Sequence, residues 1–244
     1  MQKEHKALTS LVSVIKKHEI RHVYALFSGG RDSLVALDLG RRACRGLDKR
    51  FEAVYVDTTI ATPGNLEYVQ SICKELDVKL SVIRPRKDFF TLVEKWGFPT
   101  VTRRWCCYHL KIEPLKLFFR NTNVDHTLVI DGIRANESPR RKTYPVLGIH
   151  KHFKCLNYHP IFNWNSRDVK IYIKKHKLRE NPLYNIFPRA TECWCTAFKS
   201  VKQFRLLKEY FPDLFQKFVE AEMKLKSGGS ALFKNGKRIY LRNL

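Results

Sequence analysis

The run Tyr24-Ala25-Leu26-Phe27-Ser28-Gly29-Gly30-Arg31-Asp32-Ser33-Leu34-Val35 decides the fold. His22 to Phe27 is a short apolar stretch with the length of a buried strand, and Asp32 to Arg45 carries apolar residues at helical spacing. The turn between them is Ser-Gly-Gly. Two glycines let the backbone turn sharply and approach a ligand closely. Amides at the N-terminus of the following helix point at an anion, and the helix dipole favours negative charge there. Ser28 and Ser33 add hydroxyl donors, and Asp32 is placed to help cap the helix. An ordinary strand-to-helix turn also favours Gly, Ser and Asp. This one, however, stands where an α/β sheet binds phosphate. It is not a Walker A loop, because the Gly-Lys-Ser/Thr ending is absent.

The pattern continues outward. Phe51 to Val56 reads as a second strand, and the stretch after Pro63 reads as a helix with Leu66, Val69, Cys73 and Leu76 on one face. Lys79 to Arg84 is a third strand, Pro114 to Phe119 belongs to a helix, and His126 to Asp131 is a fourth strand. Alternating strands and helices of these lengths predict an α/β fold with an open, mostly parallel twisted sheet and flanking helices. Leu8, Leu11, Val12 and Ile15 predict an amphipathic first helix. Beyond Trp164 the chain is mainly helical. Asn165 and Asp168 have the spacing of a capping box, and further helices are expected near Lys199–Glu209 and Pro212–Lys226. Gly228 and Gly229 are placed to end the last one, before a small hairpin around Asn235-Gly236. The expected organisation is a nucleotide-binding α/β domain over 1–164 and a helical C-terminal region over 165–244.

The 244 residues suffice for one large domain with a core that needs no disulfide staples. Lys and Arg number 46 against 23 Asp and Glu, a formal charge of +23. An anionic partner follows: a nucleotide, a nucleic acid such as RNA, or an acidic protein. No apolar run is long enough to span a bilayer, and the N-terminal segment is too polar for a signal peptide. The expected location is the cytoplasm. There the seven cysteines are thiols, metal ligands or catalysts rather than disulfides.

Several further motifs, in order, resemble one family. The Ser28–Ser33 loop is similar to the pyrophosphate loop of the ATP pyrophosphatase (adenine nucleotide alpha hydrolase-like) superfamily. Val56-Asp57-Thr58-Thr59 with Pro63 and Glu67 resembles the phosphoadenylyl sulfate (PAPS) reductase family, as do Arg104-Trp105-Cys106-Cys107 with Lys111 and Pro114. So do Gly132-Ile133-Arg134-Ala135-Asn136-Glu137-Ser138 with Arg141, Pro160 to Trp164 with Asp168-Val169, and Asn181-Pro182-Leu183-Tyr184. The resemblance implies an adenine nucleotide, ATP with Mg2+, held by Ser28, Gly29, Gly30, Arg31, Asp32, Ser33, Asp57, Thr58, Gly132 and Arg134. It places Asp32, Lys111 and Arg134 at the reacting groups. Arg104, Arg140 and Arg141 are further cations able to neutralise phosphate.

Cys106-Cys107 and Cys193-Trp194-Cys195 resemble the cysteines that hold a [4Fe–4S] cluster in adenylyl sulfate reductases. The second pair departs from the family's Cys-x-x-Cys, so zinc or three-cysteine ligation stands beside the four-cysteine cluster. Cys44 and Cys73 read as structural. His150, His152, Cys155 and His159 match no zinc spacing. The thioredoxin-dependent reductases carry a catalytic cysteine in a Glu-Cys-Gly-Leu-His tail, and here no cysteine follows Cys195. The expected activity is therefore ATP-dependent adenylation of an acceptor for sulfur transfer. The acceptor includes RNA or DNA, with Trp105 and Trp194 as stacking groups. The alternatives are reduction of adenylyl or phosphoadenylyl sulfate to sulfite, or a non-catalytic nucleotide or nucleic-acid binding module. Oligomeric state and sulfur donor are left open.

Overall fold

A computed structural model describes residues 2–188, 192–225, 232–234 and 237–244. In chain order the elements are α1 (Gln2–Lys17), β1 (His22–Leu26), α2 (Arg31–Arg45), β2 (Arg50–Val56), α3 (Asn65–Glu75) and β3 (Lys79–Ile83). Next come α4 (Phe89–Trp96), α5 (Glu113–Phe119), β4 (Thr127–Ile130), β5 (Leu147–Ile149), β6 (Leu156–Tyr158) and α6 (Ser166–Lys175). Last are α7 (Val201–Tyr210), α8 (Pro212–Lys224), β7 (Leu232–Lys234) and β8 (Lys237–Ile239). A turn at Trp105–Cys107 and a wide turn at Tyr108–Ile112 lead into α5.

The chain divides into two compact units. The first comprises the residues up to Tyr55 with Leu66–Ile83 and Leu115–Pro182; the second comprises Val56–Asn65, Arg84–Pro114 and Leu183–Leu244. The expected linear split at residue 164 gives way to this interleaved one. The reason is the apolar face of α6: Val169, Tyr172 and Ile173 are buried in the same core as Leu34, Leu37 and Ile130.

In the first unit a six-stranded sheet runs β3-β2-β1-β4-β6-β5. β1 pairs in parallel with β2 and β4, and β4 pairs in parallel with β6. At one edge β5 runs antiparallel to β6. Strand order reverses about β1 and β4, so the crevice for a ligand lies outside their carboxyl ends. β4 is buried at all four residues, as a strand covered on both faces must be. Leu11 and Ile15 of α1 are buried at the expected helical spacing. Asn165 and Asp168 form the reciprocal cap of α6: the Asp168 amide donates to Asn165 Oδ1 at 2.9 Å, and the Asn165 amide donates to Asp168 Oδ2 at 2.8 Å.

The second unit is built on aromatic packing. Phe89, Trp194, Phe204 and Phe218 are all fully buried. The Trp194 indole donates to Thr62 Oγ1 at 2.7 Å. Trp194 is therefore a core residue, which corrects its expected role as a stacking group: a ring with no exposed surface cannot receive a base. Trp105 is half-buried, stacked on Phe89, and donates to the Gly97 carbonyl. β7 pairs antiparallel with β8 as the expected hairpin requires, while Asn235-Gly236 and Gly228-Gly229 lie outside the described residues. The buried carboxylate of Glu222 on α8 accepts from the amides of Leu241 at 3.0 Å and Arg242 at 3.2 Å, anchoring the final turn.

Candidate nucleotide and thiol sites

The loop after β1 folds around its own hydroxyls. Gly29 has φ 84°, in the left-handed region that glycine enters without steric cost. Gly30 is the N-cap of α2 and supplies no side-chain cap. Ser33 Oγ donates to the Gly30 carbonyl at 2.9 Å and lies 3.2 Å from Ser28 Oγ, while the Ser28 amide donates to Ser33 Oγ at 3.3 Å. Asn181 Nδ2 donates to the Gly29 carbonyl at 3.2 Å, and Arg31 pairs with Glu180. The first-turn amides of α2 have no carbonyl partner inside the helix, which is the general basis of anion binding at such an end.

Asp32 does not cap the helix. Its carboxylate is taken by Arg134, with Nε on Oδ1 at 2.9 Å and a terminal nitrogen on Oδ2 at 3.0 Å. Arg134 is buried, and its own amide donates to Glu137 Oε2 at 3.0 Å. Burial raises the Asp32 carboxyl above the ordinary range, against the lowering effect of Arg134. Gly132, after β4, lies against this junction: a Cβ there would stand 2.5 Å from the Asp32 carbonyl carbon and the Ser33 amide nitrogen. Close backbone approach is what fixes glycine at this position. Arg141 pairs with Glu137, and Arg140 is exposed.

Asp57, Thr58 and Lys111 belong to the second unit. Asp57 accepts from Arg84 Nε at 2.9 Å and from the Thr59 amide at 3.0 Å. Thr58 is buried and donates to the Glu192 carbonyl at 2.6 Å. Lys111 Nζ stands 3.2 Å from Glu192 Oε1. Burial works against the Lys111 charge, but Glu192 and Cys193 outweigh it and raise its pKa; burial likewise opposes the Glu192 charge, and Lys111 lowers its pKa in spite of that. Lys199 stands 4.8 Å over the Trp194 ring, and burial lowers its pKa. Arg104 is exposed beside Phe198.

The two cysteine segments meet in the same unit. Cys106 and Cys195 are buried with their sulfurs 3.4 Å apart, and Cys107 and Cys193 are half-buried. The Cys106 thiol lowers the Cys195 pKa by hydrogen bonding, while burial pushes Cys193 up to about 11.

A model of the phosphoadenosine phosphosulfate reductase domain matches residues 22–196. The chain belongs to that family. It is 32% identical over 197 residues to an uncharacterized protein of Methanocaldococcus jannaschii, covering 80% of this chain and only 40% of that relative. The chain thus spans less than half the length of that relative. It is 26% identical to adenosine 5'-phosphosulfate reductase 2 of Bacillus subtilis, over 67% of this chain and 66% of the relative. Among solved structures, Candida glabrata FMN adenylyltransferase with FAD and inorganic pyrophosphate aligns with TM-score 0.59 at 12% identity, over 76% of this chain and 60% of that one. That likeness concerns the fold, the adenine nucleotide alpha hydrolase-like sheet with flanking helices.

For a PAPS reductase-family chain, the donor types at the cysteine site suit a soft metal. Their arrangement does not: among the described residues no three His, Cys, Asp or Glu side chains are grouped to hold a metal ion. Cys106 and Cys195 are instead hydrogen-bonded to each other. The His150–His159 segment is likewise occupied. His150 stacks on Phe153 at 3.6 Å, Cys155 donates to the Phe153 carbonyl, and His159 pairs with Asp131 at 2.7 Å. Cys44 and Cys73 are buried thiols pushed up to about 12 by desolvation. Asp131 and Glu192 are not singled out in the sequence, and Asn181 enters there only within the Asn181–Tyr184 motif, with no role given. Only Asp131 carried a signal, its position at the end of a strand.

Proposed function

We propose that this PAPS reductase-family chain binds ATP at Ser28–Ser33 and adenylates an acceptor for sulfur transfer. The observation that carries the reading is the intact loop: Gly29 in a left-handed turn, two serine hydroxyls gathered at the N-terminus of α2, and Gly132 pressed against its first turn. In the first step an acceptor oxygen bonds to the α-phosphorus, the bond to the β-phosphate oxygen breaks, and pyrophosphate leaves. The loop's donors, aimed where charge builds on the leaving group, lower that barrier. In the second step a sulfur nucleophile displaces AMP. The thiols of Cys106 and Cys195 are the sulfur-handling groups of this reading. The charge of +23 supports RNA as the acceptor.

A second reading, reduction of adenosine 5'-phosphosulfate to sulfite, is favoured by the name of the Bacillus subtilis relative. One assay separates the two. ATP–pyrophosphate exchange, with AMP formed when acceptor RNA and a sulfide donor are added, is expected from adenylation. Sulfite release from adenosine 5'-phosphosulfate with a dithiol, without exchange, overturns it.

A further inference from the structure

The first unit holds another constellation at the ends of β4 and β6. Asp131 Oδ1 accepts from His159 Nδ1 at 2.7 Å and from the Ile133 amide at 3.0 Å, and Oδ2 accepts from Asn157 Nδ2 at 3.2 Å. Three donors fix this carboxylate, and in the neutral ring a carboxylate on Nδ1 selects the tautomer with its lone pair on Nε2. Nε2 has no partner among the described residues. His159 is only 5% exposed, yet no buried side-chain nitrogen or oxygen among the described residues is left unpaired. Nε2 is therefore the ring atom that reaches open space.

His159 also lines a cavity of about 260 Å³. Tyr158, Phe162 and Trp164 give it apolar sides, and Lys3 and Lys6 give it positive charge. Lys3 is held by Asp168 at 2.6 Å, whereas exposed Lys6 makes no ion pair among the described residues. No carboxylate lines the pocket among the described residues, and Asp131 is engaged by His159. Apolar walls with a few convergent polar groups are the usual composition of a small-molecule site. Here exposed Lys6 supplies a cation, and of the two buried polar side chains in the wall the Tyr158 hydroxyl is bonded to Ser10, which leaves His159 Nε2 as an acceptor.

We propose that this pocket is a second small-molecule site, selective for a small anion with a flat apolar body and a hydroxyl that donates to His159 Nε2. The anion meets Lys6, and the flat body lies against the aromatic walls.

The test uses the full chain and 4-hydroxybenzoate as probe, read on the His159 ring resonances by NMR. Saturable shifts of those resonances are expected. Affinity should fall roughly tenfold for neutral 4-hydroxybenzamide, for benzoate and for the Lys6→Ala variant, the scale of one lost charged or hydroxyl contact. ATP affinity, measured on the same samples, should not change with Lys6→Ala. Unmoved His159 resonances overturn the site. Equal affinity for the amide, or an unchanged Lys6→Ala variant, overturns the anion class. Equal affinity for benzoate overturns the role of Nε2. Failure of ATP to bind bears on the nucleotide reading alone.

Discussion

Arg134 grips Asp32 with both arms of its guanidinium, at 2.9 and 3.0 Å, and so ties the segment after β4 to the first turn of α2. The pair has two consequences. It removes Asp32 from helix capping, and it places a buried positive charge beside the Ser28–Ser33 loop. Arg134→Ala leaves a largely buried carboxylate without its counter-ion. Because Asp32 keeps some solvent contact, the cost is expected at roughly 1–3 kcal/mol, below that of a fully buried broken pair. Arg134→Lys restores the charge but not the fork, and should recover less than half of that loss. Urea denaturation gives the stabilities and calorimetry the ATP affinities. Wild-type values for Arg134→Ala in both would remove the clamp from the site.

Gly132 offers a sharper steric test. Its added Cβ would meet the backbone of Asp32 and Ser33 at 2.5 Å, and backbone cannot swing aside as a side-chain tip can. Gly132→Ala should cost about 1–3 kcal/mol and displace the α2 N-terminus, weakening ATP at least tenfold. Gly46→Ala, at the other end of α2, meets nothing closer than 3.6 Å at φ −70° and should stay within roughly 0.5 kcal/mol of wild type. Similar losses in both variants would sink the close-approach argument.

Much of this framework was legible because the sequence signal was local. The strand, Ser-Gly-Gly turn and helix at 22–45 follow from periodicity, and Asn165 with Asp168 announced a helix start. α4 went unread although Asp88 caps it, Gly97 ends it and Phe89, Leu92, Val93 and Trp96 stand at helical spacing, because eight residues make barely two turns and its apolar face is short. β5 and β6, three residues each, are too short for periodicity to register. The boundary near 164 misled because polarity along the chain does not reveal which core a helix joins. Trp194 misled for the same reason: a tryptophan between two cysteines gives no local sign of burial. The Asp131–His159 pair joins residues 28 apart in sequence, and only the pairing of β4 with β6 brings them together.

The thiol pair predicts an order of reactivity. The Cys106 thiol stabilises the Cys195 thiolate and lowers its pKa, whereas burial holds Cys193 near 11. In chelator-treated protein, iodoacetamide modification of Cys195 should rise with pH below the ordinary thiol range, while that of Cys193 climbs only near pH 11. Cys106→Ala removes the donor and should move the Cys195 midpoint upward. Mass spectrometry of the alkylated peptides reads both. A Cys195 midpoint that ignores Cys106→Ala contradicts the hydrogen bond. Iron and zinc assays of the starting material, purified anaerobically, report whether the thiols close on a metal beforehand.

Acid sensitivity should concentrate at Glu4. Burial works to raise its pKa, but hydrogen bonds from Lys175 at 2.6 Å, Arg42 at 3.0 Å and His176 at 2.8 Å prevail and hold it at about 2. A carboxyl depressed on folding contributes stability above its unfolded value, and that contribution is lost as pH falls through the folded one. The window is therefore about pH 4.5 down to 2. Discounted for solvent screening, the effect is on the order of 1 kcal/mol. Glu4→Gln should be less stable at neutral pH and should flatten the stability curve across that window. A Glu4→Gln curve parallel to wild type between pH 4.5 and 2 would show that the network contributes nothing.

The surplus of positive charge gives the last test. The proposed nucleotide site needs few cations, and the chain carries 46. Lys170 and Lys174 are exposed one turn apart on α6, and neither makes an ion pair among the described residues, unlike neighbouring Lys175, which is held by Glu4. If this face contacts RNA phosphates, each neutralised phosphate releases counterions, and the log–log slope of affinity against salt steepens by roughly 0.7 to 0.9. The double variant Lys170→Glu with Lys174→Glu should lose about two such contacts. Its salt slope should therefore fall by roughly 1.5, with little change in ATP affinity. Structured RNA should also outcompete heparin at matched charge, because a basic surface without a cognate partner binds every polyanion alike. An unchanged slope would move RNA contact away from α6. Equal competition by heparin would leave the charge without a nucleic-acid role, and the acceptor would then be a small molecule.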